Sequence, residues 1–252
     1  IGQTESKADS LFDSLKSAYL NNPKLNAERA NMRASIEAKR EAVSEFLPSI
    51  TVSGYVGEQE NTNPGNDTNF RPSEKSLTIE QKIFQGFSGV ANYGKKKQGQ
   101  SIGKFKLKKI EQEILLEAAK AHSEFLLNRE KVNINLINVD LLERQVETDQ
   151  NRLEKGEINL TDLAQSESSL AGAIAELIAA QNDLVTSKAN FEKTIGKKPS
   201  ENVQEIKEIN LNLPESLATA YSISNSENPD LQIALLEYKQ AKMDVVIAGS
   251  DL

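Results

Sequence analysis

The side chains that most often perform chemistry are scarce in this sequence. His122 is its only histidine, and it has no cysteine. One imidazole without a second histidine or a thiolate is a poor starting point for a metal site. We therefore expect His122 to be a surface residue or a residue of a helix seam, and we predict no metal site.

The acidic residues do not form a catalytic arrangement either. The sequence holds 37 aspartates and glutamates, spread along predicted helix faces where solvated charge is the ordinary interpretation. It has no glycine-rich phosphate loop, no nucleophile elbow and no paired metal ligands. The sequence predicts no catalytic residue, no cofactor and no enzymatic activity.

A basic stretch leaves two interpretations open. Its members are Lys95, Lys96, Lys97, Lys104, Lys106, Lys108 and Lys109. They could form a solvated helix face, or they could attract anionic lipid headgroups. The net charge of −7 argues against a nucleic-acid partner, which would need a basic face.

The composition favours long helices over a large globular core. Of the 252 residues, 38% are hydrophobic and 5% aromatic, and tryptophan is absent. Amphipathic helices with narrow apolar seams need fewer apolar residues than a globular domain does. The sequence contains no run of about 20 apolar residues, so we predict no transmembrane helix.

In the first part of the chain, the spacing of apolar residues changes from that of a helix to that of a strand. Helices are predicted at 11–20 and 24–46, within the helical region 11–46, and Leu47-Pro48 ends the second one. Strands follow at 49–58 and 76–84, joined by a long polar loop. The alternating apolar residues of these strands are Ile50, Val52, Val56, Leu77, Ile79 and Ile83.

Two isolated strands make only a marginal sheet, so two interpretations remain open. The pair could be a small hairpin that caps a helical bundle. It could instead be part of a transmembrane barrel, whose strands are about 9–11 residues long and apolar on the outside.

Two long helices are predicted next, at 88–152 and 160–195. The first would be roughly 100 Å long, and we expect its glycine-rich beginning to be bent or loosely wound. The second, capped by Thr161 or Asp162, carries a strict heptad of apolar residues that is typical of a coiled coil. The heptad residues are Leu163, Leu170, Leu177, Leu184 and Phe191, flanked by Ala164, Ala171, Ile178 and Val185. An antiparallel helical shaft is therefore predicted.

The opening of the chain recurs near its end. Ser14-Leu15, Ala18-Tyr19 and Asn22-Pro23 return as Ser216-Leu217, Ala220-Tyr221 and Asn228-Pro229. Such self-similarity defines a structural unit. We therefore expect a first repeat at 11–199, a linker at 200–213 and the truncated start of a second repeat at 214–252.

These motifs together resemble the first repeat of the TolC family of outer-membrane channel-tunnel proteins, whose members serve efflux and type I secretion. The stretches that carry the resemblance are Asn22-Pro23, Leu47-Pro48-Ser49, Ile83-Phe84, Gly86-Phe87, Arg152, Gly156, Thr161-Asp162-Leu163 and Ile195-Gly196. Two positions depart from the family pattern: Lys82 stands in place of a frequent proline, and His122 in place of a frequent tyrosine.

The resemblance implies a mainly α fold, with a long antiparallel coiled-coil shaft and a β-hairpin that joins an oligomeric transmembrane barrel. It implies a homotrimer in the outer membrane of a Gram-negative bacterium, with the helical part in the periplasm. The implied partners are a periplasmic adaptor, an inner-membrane ABC or RND pump and outer-membrane lipid. The implied function is passive export through a water-filled pore.

The resemblance also assigns a docking role to the turn between the long helices. Its contact residues with the adaptor would be Gly156, Glu157, Ile158, Thr161 and Asp162, and Ile158 would be an exposed apolar knob. The alternative is an ordinary helix-capping turn. For Asp162, a gate-holding hydrogen bond to a neighbouring coil is a further possibility.

Two other functions are weighed against the channel. A periplasmic adaptor would carry a β-domain rich in Gly and Val on both sides of its helical hairpin, and no such segments flank 88–195. A coiled-coil scaffold without a channel would not need the alternating strands or the Leu47-Pro48-Ser49 junction.

Overall fold

The computed structural model of the chain describes residues 10–63, 66–84, 86–200, 203–204 and 213–250. Its helices are α1 (Leu11–Asn21), α2 (Pro23–Ser44), α3 (Ser88–Glu154), α4 (Leu160–Ile195), α5 (Leu217–Glu227) and α6 (Pro229–Ser250). Its strands are β1 (Ser49–Val56), β2 (Gln59–Asn63), β3 (Asn66–Phe70) and β4 (Ser73–Glu80). The predicted fold class, mainly helical with an antiparallel hairpin, is confirmed. Most of the predicted linker at 200–213 lies outside the described residues.

The chain divides into two compact units. The first comprises Ile1–Glu28 and Lys108–Leu217, and the second comprises Arg29–Leu107 and Ala218–Leu252. Both α2 and α3 run from one unit into the other. Within the described residues, no helix has an 18-residue stretch apolar enough to cross a membrane.

The core of the first unit lies where α1 meets the α3–α4 hairpin. Phe125 of α3 and Phe191 of α4 are both buried, with their rings edge to face and their centroids 5.7 Å apart. The remaining buried members of this cluster are Ala18, Ile114, Ala118, Ile195 and Val203. Two bulky phenylalanines beside small alanines let three helices approach closely at this level.

Hydrogen bonds along the hairpin show that α3 and α4 are antiparallel. The amide of Asn190 donates to Glu124 over 3.3 Å, and the hydroxyl of Ser166 donates to Asp149 over 2.5 Å. Residue numbers therefore fall along α4 as they rise along α3. The predicted antiparallel shaft has its physical basis in this pairing.

The buried seam of α4 has two alternating positions. The predicted heptad of Leu163 to Phe191 supplies one of them. The second is a heptad of small residues, Ser166, Ala173, Ala180, Ser187 and Thr194. The four residues predicted to flank the seam, Ala164, Ala171, Ile178 and Val185, are all exposed. Small residues at the second position permit a closer approach of α3, a packing rule that a search for apolar residues overlooks.

His122 is fully buried in the seam of the first unit. Its Nδ1 lies 3.0 Å from the Ser14 hydroxyl of α1, and its Nε2 lies 3.4 Å from the backbone oxygen of Gln204. A carbonyl oxygen can only accept, so Nε2 carries the proton and Nδ1 accepts from Ser14. Of the two predicted environments, the seam is the one observed.

The beginning of α3 is uninterrupted α-helix, so the loose winding offered as one alternative is not found. Its glycines instead allow neighbouring helices of the second unit to come close. A β-carbon on Gly103 would lie 2.8 Å from the Ser35 hydroxyl and 3.2 Å from the Met32 sulfur of α2. On another side, Gln240 of α6 donates to the backbone oxygen of Lys95 over 2.9 Å.

The sequence repeat has a structural counterpart. Helices of 11 and 22 residues follow one another at α1–α2 and again at α5–α6. Asn22 precedes Pro23, and its side-chain oxygen accepts from the backbone of Lys24 and Leu25. Asn228 precedes Pro229 and accepts from Asp230 and Leu231 in the same way. Each Asn-Pro pair therefore starts a helix by the same capping chemistry.

Candidate membrane hairpin and docking turn

The strand segment of the second unit is one long antiparallel hairpin. β1 pairs with β4, from Ser49 opposite Glu80 to Val56 opposite Ser73. β2 pairs with β3 in the same register, from Gln59 opposite Phe70 to Asn63 opposite Asn66. Between the two pairs, the backbone of Gly57 donates to the oxygen of Pro72 over 2.9 Å. The ladder is interrupted there because proline has no N–H to donate.

The register gives β1–β4 two chemically different faces. On one face Ile50 lies opposite Ile79, and Val52 opposite Leu77. All four side chains are exposed, Val52 at 78%. In water, cross-strand apolar pairs of this kind are normally covered. The apolar face of β1–β4 therefore has no covering partner among the described residues.

The opposite face of β1–β4 is hydroxylated. Thr51 lies opposite Thr78, and the Ser53 and Ser76 hydroxyls are 2.6 Å apart. Lys75, opposite Gly54, is the charged residue on the apolar side. Its long aliphatic stem can follow an apolar surface while its ammonium reaches water.

The strand bounds differ from the predicted ones. β4 covers 73–80 rather than 76–84, so Ile83 lies beyond the strand, in a non-strand segment, and is 94% exposed. β4 stops at Glu80 because its partner begins at Ser49, directly after Pro48, and a proline cannot extend the ladder. The polar loop predicted between the strands was also wrong, since most of it forms β2 and β3.

The turn between α3 and α4 closes with a paired set of backbone hydrogen bonds. Gly156 has φ of +76°, and its N–H donates to the Leu153 oxygen over 2.9 Å. The Glu157 N–H donates to the Arg152 oxygen over 2.9 Å. This is a Schellman motif, which requires a left-handed residue at the position of Gly156. Arg152 also lies 3.5 Å from the Glu157 carboxylate, across the turn.

Asn159, rather than Thr161 or Asp162, caps the start of α4. Its side chain accepts from the Asp162 backbone over 3.0 Å, and the Asp162 carboxylate accepts from the Asn159 backbone over 3.1 Å. This reciprocal capping box satisfies two backbone donors of the first turn. The predicted cap, Thr161 or Asp162, lies two or three residues after the observed one. Asp162 is the acidic residue at the third helical position, which completes a capping box with an Asn three residues before it.

The exposed apolar residue of the turn is Leu160, at 69%, whereas Ile158 is only half-exposed. The expectation that Ile158 is the exposed knob was therefore wrong. Gly156, Glu157, Thr161 and Asp162 are all exposed. The turn thus presents one leucine beside polar and acidic groups.

One residue of the turn region escaped the sequence analysis. Asp149 is buried between α3 and α4, where its carboxylate accepts from Ser166 over 2.5 Å and from Gln145 over 2.9 Å. These two hydrogen bonds, aided by the charge of Arg152, hold the pKa of Asp149 below its ordinary value, although burial opposes them. Asp149 lies seven residues, or about two helical turns, after the half-buried Leu142 of α3. An acidic residue at such a position is the signal that the sequence offers.

Comparison with known proteins identifies relatives of this chain. The model of the family described as outer membrane efflux protein matches residues 14–197. The chain is 28% identical over 225 residues to the outer membrane efflux protein BepC of Brucella suis biovar 1, covering 89% of this chain and 48% of BepC. It is 26% identical over 187 residues to the outer membrane protein TolC of Vibrio cholerae serotype O1, covering 71% of this chain and 40% of TolC.

The fold is similar to that of solved outer-membrane channels. The CmeC outer membrane channel of Campylobacter jejuni superposes with a TM-score of 0.81 at 14% identity, over 95% of this chain and 53% of CmeC. The chain spans about half the length of the curated relatives that it matches.

Proposed function

The chain belongs to the outer membrane efflux protein family, and from that premise we propose that it supplies part of a passive export conduit across the outer membrane and periplasm. The observation that carries the proposal is the two-faced β1–β4 pair, with exposed apolar pairs on one side and hydroxyls on the other. A strand pair of this kind matches a barrel wall between lipid and water.

A single hairpin cannot span a bilayer alone, because its outer strand edges would leave backbone groups unpaired in lipid. We propose that the strands close into a barrel with further strands, within a homotrimer. The helices would continue the conduit into the periplasm. The scaffold alternative would leave the apolar face of β1–β4 without a function.

A conductance measurement tests the proposed pore. The full-length protein is purified in detergent, its oligomeric state is measured, and it is added to a planar lipid bilayer. We expect a trimer that gives stepwise current increases of uniform size. A trimer that binds lipid vesicles but conducts no ions would contradict the conduit and favour a scaffold.

We also propose that the α3–α4 turn docks onto a periplasmic adaptor, which in turn joins an energised ABC or RND pump. The contact set would be Gly156, Glu157, Thr161 and Asp162, with Leu160 as the apolar contact in place of the half-exposed Ile158. A buried apolar contact surrounded by polar groups is the usual anatomy of a protein–protein interface.

Leu160→Glu tests this docking. We expect the variant to form the trimer and to conduct ions as the parent does, yet to lose export in cells, because a carboxylate replaces the apolar contact. Gln181→Glu, at an exposed position of α4 far from the turn, is the matched control. Unchanged export by Leu160→Glu would show that the turn is an ordinary capped helix connection.

A further inference from the structure

Asp149 occupies an inward-facing position of α3 where a coiled coil normally carries an apolar side chain. Towards the turn, the buried and half-buried residues of α3 recur at alternating spacings of three and four, as in a coiled-coil seam. They are Val132, Asn135, Val139, Leu142, Val146, Asp149 and Leu153. A buried carboxylate costs stability unless it is paired, which an apolar residue would avoid. The best-attested benefit of a polar group in such a seam is that it fixes how two helices align.

The carboxylate of Asp149 is tied to the opposite helix. Its Oδ2 accepts from the Ser166 hydroxyl of α4 over 2.5 Å and from the Gln145 amide of α3 over 2.9 Å. Gln145 lies one turn before Asp149 on the same helix, so the bond from Ser166 is the one that crosses the seam. This bond fixes the position of α3 along α4 close to the turn.

The other oxygen of Asp149 faces the turn. Oδ1 lies 3.7 Å from Nη1 of Arg152, and Nε of Arg152 lies 3.5 Å from Oε2 of Glu157. The Arg152 and Glu157 side chains are about half-exposed, whereas that of Asp149 is buried. An exposed ion pair alone holds two side chains only weakly. Here a buried, hydrogen-bonded charge restricts the guanidinium before it reaches the turn.

We infer that Asp149 is the positioning residue of the α3–α4 turn: its carboxylate, which Ser166 holds in place, orients Arg152. Arg152 in turn orients Glu157, with its side chain and with the backbone oxygen that accepts from the Glu157 N–H. A turn that is already ordered loses less conformational freedom when a partner binds. The ordering is a property of the hairpin itself, whereas its value for adaptor docking rests on the proposed function.

The absence of cysteine from the chain allows a spin label to report on the turn. The label is attached through Lys155→Cys in the turn or through Gln181→Cys, at an exposed position of α4 far from it. The full-length protein is used, with any further cysteines replaced by serine. The rotational mobility of each label is measured by electron paramagnetic resonance in the parent, in Asp149→Asn, in Arg152→Gln and in the double variant. Asp140→Asn, which removes an exposed acid of α3, is the matched control.

We expect Asp149→Asn and Arg152→Gln each to raise the mobility of the label at position 155 and to leave that at position 181 unchanged. The double variant should be no more mobile than either single variant, because both substitutions break the same chain of contacts. Ser166→Ala should have the effect of Asp149→Asn and replaces it if that variant fails to assemble.

Three results would overturn the inference. An unchanged label at position 155 would show that Asp149 does not order the turn. Additive increases in the double variant would show that Asp149 does not act through Arg152. Greater mobility at position 181 as well as 155 would show that Asp149 only stabilises the hairpin as a whole.

Export in cells separates this inference from docking itself. We expect Asp149→Asn to lose part of the export that Leu160→Glu abolishes, and Asp140→Asn to retain it. Full export by Asp149→Asn beside its loss in Leu160→Glu would overturn the positioning role and leave docking standing. Full export by both variants would overturn docking of the turn, and with it any role of Asp149 in docking.

Discussion

Asp149 connects the two long helices close to the turn, and its ionisation should be visible in stability. Hydrogen bonds from Ser166 and Gln145 favour its charged form, so its pKa is lower in the folded than in the unfolded chain. A lowered folded pKa adds stability above the unfolded value of about 3.9, and this stability is lost as pH falls below it.

Asp149→Asn should therefore remove part of the acid sensitivity of the protein. We expect the parent to be more stable than the variant near neutral pH, and this difference in stability to shrink below about pH 4. The measurement is the urea midpoint of each protein at several pH values. Asp140→Asn, at an exposed residue that pairs with Arg144 on α3, is the control. Parallel pH profiles of parent and Asp149→Asn would contradict the role of this carboxylate.

The residues of the α3–α4 turn show where sequence reasoning at this scale succeeds and fails. The left-handed glycine at 156 was predictable, because few other residues accept its φ. The choice between Ile158 and Leu160 as the exposed residue was not, since it depends on how the capping box of Asn159 orients the first turn of α4. Asp149 was missed because its two partners come from different turns and different helices.

At the scale of the elements, Gly103 and Gly172 have opposite surroundings. A β-carbon on Gly103 would meet Ser35 and Met32 of α2, whereas one on Gly172 of α4 would meet nothing within 4 Å. We expect Gly172→Ala to stabilise the protein by up to about 1 kcal/mol, the helix-propensity difference. Gly103→Ala should instead destabilise the protein, because overpacking against α2 costs about 1–3 kcal/mol of stability.

The two glycine variants form a matched pair, measured by urea unfolding of the same protein. An equal gain from both substitutions would show that α2 does not approach α3 as closely as described.

The two faces of β1 predict opposite responses to the same charge. Val52→Lys places an ammonium on the apolar face, where a lysine near the bilayer midplane costs about 2–4 kcal/mol in each subunit. Ser53→Lys places it on the hydroxyl face, which would face water in the pore. We expect the first variant to lose most of the heat-stable trimer in outer-membrane fractions, and the second to retain it. Equal losses of trimer from the two variants would contradict the assignment of one face of β1 to lipid and the other to water.

Most of the helices and strands were predictable from the spacing of their apolar residues and from the prolines and glycines that end them. Pro48 ends one helical region and Gly196 another, and the leucine heptad of α4 fixes which face meets α3. The pairing of β2 with β3 was not predictable, because its residues are polar and lack an apolar alternation. Its register follows instead from β1–β4, which it extends across Gly57 and Pro72.

At the scale of the whole molecule, function depends on surfaces that the chain leaves uncovered. On the proposed function, the apolar face of β1–β4 would face lipid, and the exposed Ile178 and Val185 of α4 would meet neighbouring helices. A sequence shows that a residue is apolar but not whether its own chain covers it. The repeat of Asn22-Pro23 at Asn228-Pro229 accounts for how such a conduit can be assembled from similar units.

The most direct test of the account is cysteine accessibility along β1, since the chain has no cysteine of its own. Single cysteines at the positions of Thr51, Val52, Ser53, Tyr55 and Val56 are exposed to a charged, membrane-impermeant thiol reagent in intact outer membranes. We predict that the cysteines replacing Thr51, Ser53 and Tyr55 react and that those replacing Val52 and Val56 do not. Equal labelling at successive positions would contradict a strand between lipid and a water-filled pore.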